Sequence, residues 1–236
     1  MANPQSVSTV REIQTATPRL ISLSGEKYRE GGAIIDGDES RDPLNTSYLD
    51  YLRAGLVMGQ ITTGGKFAPS IIGALSGAYD KDGSNQTTMN VTAATATEIV
   101  RRIGSSGTFK ITGPPSAAGT VVTETVTFSA VNVTTGAITV TIAAADYVSG
   151  SYVQPTDGSE TPLCLIASGY PLKVTDDNDA DIDIDFAKML IGGRIDASQV
   201  LNYPSDASLK VWVKGKLNGT DGTSSGRAPF SFDDDV

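Results

Sequence analysis

Leu56-Val57-Met58-Gly59-Gln60-Ile61-Thr62, then Thr63-Gly64-Gly65, then Lys66-Phe67-Ala68-Pro69 is the stretch that decides the fold. A short apolar run bounded by turn residues reads as a buried strand. Two glycines after a threonine read as a hairpin turn, and the apolar pair after Lys66 reads as the return strand. The expected unit is therefore antiparallel sheet. Just upstream, Leu44, Tyr48, Leu49 and Leu52 are spaced i, i+4, i+5, i+8, which predicts a short helical turn leading into it.

Downstream, residues 76–156 change character. Residues 92–103 read as a helix, with Ala96, Ile99, Val100 and Ile103 on one face. Thr95 with Glu98 fits a capping box, Arg101 and Arg102 suit the negative end of the helix dipole, and Gly104 can close it. Val122-Thr123-Glu124-Thr125-Val126-Thr127-Phe128 and Ile138-Thr139-Val140-Thr141-Ile142 alternate with period two around a turn at 132–136, and 108–112 offers a third strand. These elements predict a small inserted α+β knob.

Residues 157–236 return to short strands. Residues 161–167 are apolar enough for a buried strand. Ala180, Ile182, Ile184 and Phe186 alternate with Asp179, Asp181, Asp183 and Asp185, which predicts a strand with one core face and one acidic face. Residues 189–191 and 194–195 read as strand pieces split by Gly192-Gly193, followed by a short turn at 200–204. Leu209, Val211 and Val213 alternate with Lys210, Trp212 and Lys214, which predicts another strand. The chain therefore divides into an extended N-terminal arm at 1–42, a core at 43–75 plus 157–232, the knob at 76–156 and an acidic tail at 233–236. The arm carries one apolar knot, Leu20-Ile21-Ser22-Leu23, and too little else that is apolar to bury a core alone.

The 236 residues carry 18 Lys plus Arg against 27 Asp plus Glu, a net charge of −9, and the pI is about 4.5. That balance argues against phosphate-backbone binding. Histidine is absent, which removes the usual neutral-pH general base and the commonest transition-metal ligand. A single cysteine, Cys164, excludes a disulfide framework and a Cys-rich zinc site, and its apolar setting makes it an inert core thiol. No basic-then-apolar start marks a signal peptide, and no apolar stretch is long enough to span a bilayer, so the expected product stays soluble in the cytoplasm that makes it. The Asn-x-Ser/Thr triplets at Asn45, Asn85, Asn90, Asn132 and Asn218 carry no meaning without a secretory route.

No chemistry kit emerges from the motifs. The Asp176–Asp185 cluster offers oxygens suited to calcium, but Gly and Glu are missing from the places an EF-hand needs them, and it reads as a solvated face. Asp80-Lys81-Asp82-Gly83 reads as a turn. Gly59 to Lys66 misses the phosphate-loop pattern, since Gly65 stands where Lys is required. A Ser or Thr nucleophile lacks a base, and aromatic residues are only 6% of the chain, too few for the usual carbohydrate cleft. Trp212 reads as either an interface anchor or a core residue.

Arg53-Ala54-Gly55-Leu56-Val57-Met58-Gly59-Gln60-Ile61-Thr62 and Gly65-Lys66-Phe67-Ala68-Pro69 together resemble the opening of lambda-type bacteriophage head decoration proteins. Asp157-Gly158-Ser159-Glu160-Thr161-Pro162-Leu163-Cys164-Leu165-Ile166-Ala167 is similar to that family's next strand, with Cys164 where the family usually shows Gly. Residues 181–186 and Lys188-Met189-Leu190-Ile191-Gly192-Gly193-Arg194-Ile195 resemble the strand pair that follows, and 196–203 its short turn. The resemblance covers about a third of the chain and departs from the family in the long arm and the knob.

The resemblance implies a mainly β fold with a compact, β-tulip-like core. It implies a non-enzymatic capsid cement on the virion surface, made in the host cytoplasm, with the major capsid protein as partner, a homotrimeric state and no cofactor, metal, nucleic acid or membrane. Its arm would order on the capsid, with Leu20, Ile21 and Leu23 as the apolar groups it buries. Two other classes stand beside this reading: a phage fibre, tail or surface adhesin component, for which the Thr-rich knob is suited, and a hydrolase or lyase working with carboxylates alone.

Overall fold

The computed structural model describes residues 22–45, 48–117, 119–167, 171–186, 188–218 and 230–233. In chain order the first strands are β1 (Ser22–Tyr28), β2 (Ala33–Ile35), β3 (Tyr51–Leu52), β4 (Val57–Gln60), β5 (Phe67–Pro69), β6 (Gly73–Ala74) and β7 (Thr88–Asn90). Helix α1 (Ala93–Arg102) precedes β8 (Gly107–Gly113), β9 (Val122–Val131), β10 (Ala137–Val140) and β11 (Tyr152–Gln154). Then come β12 (Cys164–Ile166), β13 (Leu172–Lys173), β14 (Ile184–Phe186), β15 (Met189–Asp196), helix α2 (Ala207–Leu217) and β16 (Phe230–Asp233). The fold is mainly β.

Eight strands form the main sheet, in the order β1-β15-β12-β4-β5-β2-β14, with β16 parallel to β15. The β4–β5 hairpin is antiparallel, as the opening stretch predicts, with Met58 opposite Pro69 and Gln60 opposite Phe67. Gly59 is needed there: a Cβ would lie 1.9 Å from the Ser159 carbonyl oxygen, so only glycine lets the 157–161 loop cross this strand. Both faces of the sheet are covered. Val57, Leu165 and Leu190 pack with Leu209, Val213 and Leu217 of α2. Leu56, Met58, Cys164, Ile166 and Met189 point the other way, into a second cluster with Ile35, Phe67 and Leu201. Burial on both faces explains runs that are continuously apolar rather than alternating.

The second sheet has six strands in the order β6-β11-β8-β9-β10-β7. Helix α1 packs Ala96 and Ile99 against Phe109, Ile111, Val126, Phe128, Ile138 and Val140. The outward residues Thr123, Thr125, Thr127, Thr139 and Thr141 are exposed, as the alternation predicts. Thr92, not Thr95, is the N-cap: its hydroxyl accepts the Thr95 amide at 3.2 Å. The capping-box expectation is thus displaced by one turn, and Glu98 instead pairs with Arg101 along the helix.

Other expectations are corrected. The segment 207–217 is a helix, because Asp206 caps the Ser208 and Leu209 amides and Leu209, Val213 and Leu217 share one buried face at i, i+4, i+8. Val211, which a strand would have buried beside them, is 70% exposed. Residues 43–44 and 49–50 are turns, with the Asn45 amide on the Asp42 carbonyl and the Tyr48 amide on that of Asn45; Leu44 is exposed, and among the described residues of this stretch no helix forms. In 176–186 only β14 is strand: the Asp176 carboxylate takes the Asn178 and Ala180 amides and turns the chain, and Asp179 has φ +60°. Residues 189–196 are one strand, not two pieces. Asp233 belongs to β16 and pairs with Arg194, so it is not part of a free tail.

Candidate binding surfaces

The N-terminal segment first becomes part of the described structure at β1. Leu20 and Ile21 lie outside the described residues; the backbone of Leu23 lies in β1, and its side chain is outside them. Residues 22–28 and 33–35 are therefore strands of the main sheet rather than part of an extended arm. β1 joins β15, and β2 sits between β5 and β14 with Ala33 and Ile35 in the core. β1 is the terminal strand of the sheet, and its pairing slips repeatedly: Ser22 faces Ile195, Ser24 faces Arg194, Lys27 faces Gly192 and Tyr28 faces Leu190, with register shifts between each pair. Bulges of this kind loosen and twist an edge. Residues 25–30 are exposed.

From β2 the chain passes into a charged strap at the junction of the two sheets. Asp36-Gly37-Asp38-Glu39-Ser40-Arg41-Asp42 is tied down on all sides. Asp36 pairs with Lys66 at 3.1 Å, Arg41 with Asp181, and the fully buried Asp42 carboxylate with Arg53 at 2.6 Å. Lys66 also pairs with Asp183 at 2.8 Å. The hydrogen bonds Lys66 donates to Asp183 and Asp36 push its ammonium up to about 12, and the same contact holds Asp183 below its ordinary value. A Cβ on Gly37 would lie 2.3 Å from the Ile182 carbonyl oxygen, so the strap passes beneath the 181–183 segment only as glycine.

Helix α1 reaches this strap with its last turn. Arg101 donates to the Asp38 carbonyl. Arg102, whose side chain is 1% exposed, faces Glu39 at 3.2 Å and Asp157 at 3.0 Å. It also donates to the Pro69 carbonyl at 2.7 Å and the Ser159 hydroxyl at 2.6 Å. Burial works against the charged form of Asp157, but Arg102 and Ser159 outweigh it and hold that carboxyl below its ordinary value. For Glu39 burial wins over Arg102 and Arg101, and its carboxyl is raised. These groups line an open hollow of about 300 Å³ with Thr156. Two carboxylates set against one guanidinium already use its charge, so the arrangement serves as a joint. Buried Gln154 continues it, accepting from Thr112 at 2.7 Å and donating to the Glu160 carbonyl at 2.7 Å.

Helix α2 presents the third surface. Val211 stands out beside half-buried Trp212. These two, with Ser208, Gly119, Thr120 and Val121, line an open groove of about 440 Å³. Lysines flank it. Lys210 lies 5.7 Å from the Tyr203 ring, Lys214 5.5 Å from Phe232 and Lys216 5.8 Å from Trp212. Such stacking covers aromatic surface with lysine stems while the ammonium heads stay near water. Sequence reasoning missed this ridge, because it placed 209–214 on a strand; the capping aspartate at 206 was the available signal.

Among the described residues, no group of three or more His, Cys, Asp or Glu is placed to hold a metal ion, and no helix is long and apolar enough to cross a membrane. Cys164 is buried and free of disulfide. Compared with protein-family models, curated proteins and solved structures, the chain finds no match in any of the three.

Proposed function

We propose that this chain is a structural virion protein of a bacteriophage, a capsid cement that binds the outer surface of the head, bridges major capsid protein subunits and turns over no substrate. Its N-terminal segment, with Leu20 and Ile21, supplies the capsid-binding arm, with Leu23 at its root in β1, and a homotrimer presents three arms at once. The observation that carries the reading is the position of β1. The segment before it leaves from the terminal strand of the main sheet, a strand held by slipped pairing along an exposed edge. An arm rooted there reaches a neighbouring surface without disturbing either core. Ordering it costs conformational entropy, which apolar burial on the partner offsets. Three linked arms raise avidity without a new kind of contact.

The resemblance of residues 43–75 and 157–203 to head decoration proteins supports the same reading. The exposed threonine face of the second sheet supports the alternative, a fibre, tail or adhesin component, and hydrodynamic shape separates the two: a compact particle for cement, an elongated one for a fibre. The direct experiment is co-sedimentation of the purified protein with expanded phage heads. The full chain is expected to saturate the heads. A chain lacking residues 1–21 keeps β1 and its fold, checked by circular dichroism, and is expected to lose binding. Failure of the full chain to bind, or full occupancy by the truncated one, overturns the proposal.

A further inference from the structure

β1 belongs to the main sheet by its backbone far more than by its side chains. Successive residues of a strand point to opposite faces, so a strand packed on one face shows alternate burial. Gly25, Glu26, Lys27, Tyr28, Arg29 and Glu30 are instead all exposed, so neither face of this stretch is covered. None of the six belongs to the apolar clusters of the two sheets. A Cβ on Gly25 would meet nothing within 4 Å, and the Tyr28 hydroxyl spends its proton on Glu26 of the same strand, at 2.7 Å. The pairing with β15 slips at every step, and Gly25, at φ +69°, lies inside the slip between Ser24 and Lys27. Firm attachment comes only after the strand. The Arg29 amide donates to the Met189 carbonyl at 2.9 Å, and the Arg29 guanidinium lies 4.7 Å from the centre of the Phe67 ring. Gly31 and Gly32 follow at φ +76° and +69°, left-handed conformations that glycine adopts without strain, and β2 then enters the core.

We infer that β1 is a detachable strand: residues 22–28 lift off β15 as a unit, pivoting at Arg29–Gly32, while the rest of the main sheet keeps its fold. Local opening is drawn from segments with few buried apolar contacts and solvent-exposed backbone bonds, and residues 25–28 have both properties. Nothing in either core has to move, because the clusters on the two faces of the sheet are filled by other elements. Lifted, the seven residues of β1 add about 23 Å of reach to the segment before them, at about 3.3 Å each. Docked, they hold that segment close to the body. The strand is therefore a length adjuster, which lets one chain span gaps of different width between its core and a neighbouring surface. The use of that reach by a capsid-binding arm rests on the proposed function; the opening itself does not.

Amide hydrogen exchange of the full chain, without phage heads, reads the opening. The amides of residues 24–28 are expected to exchange about a hundredfold or more faster than those of β4 and β12, at a rate that dilute urea leaves unchanged. Brief trypsin treatment is expected to cut after Lys27 and to leave a core that begins at Tyr28 and keeps its circular dichroism. Ser24 and Arg194 are register partners. Opposite residues of an antiparallel pair lie within disulfide reach, so Ser24→Cys with Arg194→Cys locks the strand down when oxidised. The oxidised chain is expected to resist the cut after Lys27 and to exchange its 24–28 amides as slowly as those of β12, and reduction is expected to restore both. Exchange of 24–28 only through global unfolding, a trypsin core that begins at Leu20 and resists further cutting, or an oxidised chain that opens like the reduced one overturns the inference. These readouts come from the free chain, so their failure leaves the cement reading standing, and a chain that opens as expected but does not saturate heads fails that reading alone.

Discussion

Arg102 holds the two sheets together through a single side chain, and the carboxylates around it respond to pH in opposite senses. Asp157 is held below its ordinary value, so its stabilising contribution is present above the unfolded carboxylate value of about 3.9 and is lost as pH falls through the folded value. Asp157→Asn is therefore expected to cost about 1–3 kcal/mol at pH 7, because it leaves Arg102 buried with one fewer acceptor. That cost should shrink steadily in acid. Glu39 is raised, so its ionised form is the one that folding disfavours. The stability it subtracts appears as pH rises from the unfolded value of about 4.3 through the folded one. Glu39→Gln is expected to leave stability unchanged or slightly higher at pH 7 and to match the wild type in acid. Urea unfolding of both variants across pH measures these signs, and a neutral-pH loss for Glu39→Gln as large as that for Asp157→Asn contradicts the assignment. No sequence pattern announces this joint: Glu39, Arg102 and Asp157 are 63 and 55 residues apart along the chain, and only the meeting of α1 with the strap unites them.

At the scale of elements, α2 shows why local alternation misleads. Leu209, Val211 and Val213 satisfy a period of two over five residues, and β-branched residues favour strands. Leu209, Val213 and Leu217 satisfy a period near 3.6 over nine, and the longer pattern agrees with the burial. Leu209→Ala is expected to cost about 2–5 kcal/mol, as a fully buried leucine should. Asp206→Ala is expected to cost about 1 kcal/mol through the lost cap. Val211→Ala should be neutral or stabilising by up to about 0.5 kcal/mol, since an exposed helical site prefers alanine. Thermal unfolding ranks the three; a large loss at Val211 would favour the strand. The β4–β5 hairpin, α1 and the alternating strands β9 and β10 were legible because each is bounded by its own turn or cap. The strap and β1 were not, because their apolar content is low and their place in the sheet depends on β15, β14 and β5, which lie far away in sequence.

At the scale of the whole molecule, composition and the glycine-bounded apolar runs made a mainly β chain legible, whereas the second sheet begins at β6, Gly73–Ala74, and ends at β11, Tyr152–Gln154. What the pattern did not convey is how closely the two sheets are coupled. Adjacent residues divide between their cores: Ile71 packs with the main sheet and Ile72 with the second, and Tyr152 packs with the main sheet and Val153 with the second. The Tyr152 ring meets Trp212 at 6.2 Å, and its hydroxyl donates to the Asn202 carbonyl at 2.7 Å. A strand that fills two cores at once cannot leave one while remaining in the other. With Arg102 and Gln154 bridging the same seam, the two sheets should unfold as one cooperative unit despite having separate apolar clusters. Trp212 is the single tryptophan and reports on the main sheet, whereas far-ultraviolet circular dichroism reports on both. The two signals are expected to share one urea midpoint, and Tyr152→Ala, which empties a buried aromatic site, is expected to lower that midpoint for both together, by about 3–5 kcal/mol in stability. Two separated transitions, with the tryptophan signal moving alone in the Tyr152 variant, would mean that the second sheet stands as an independent domain and that the seam transmits nothing.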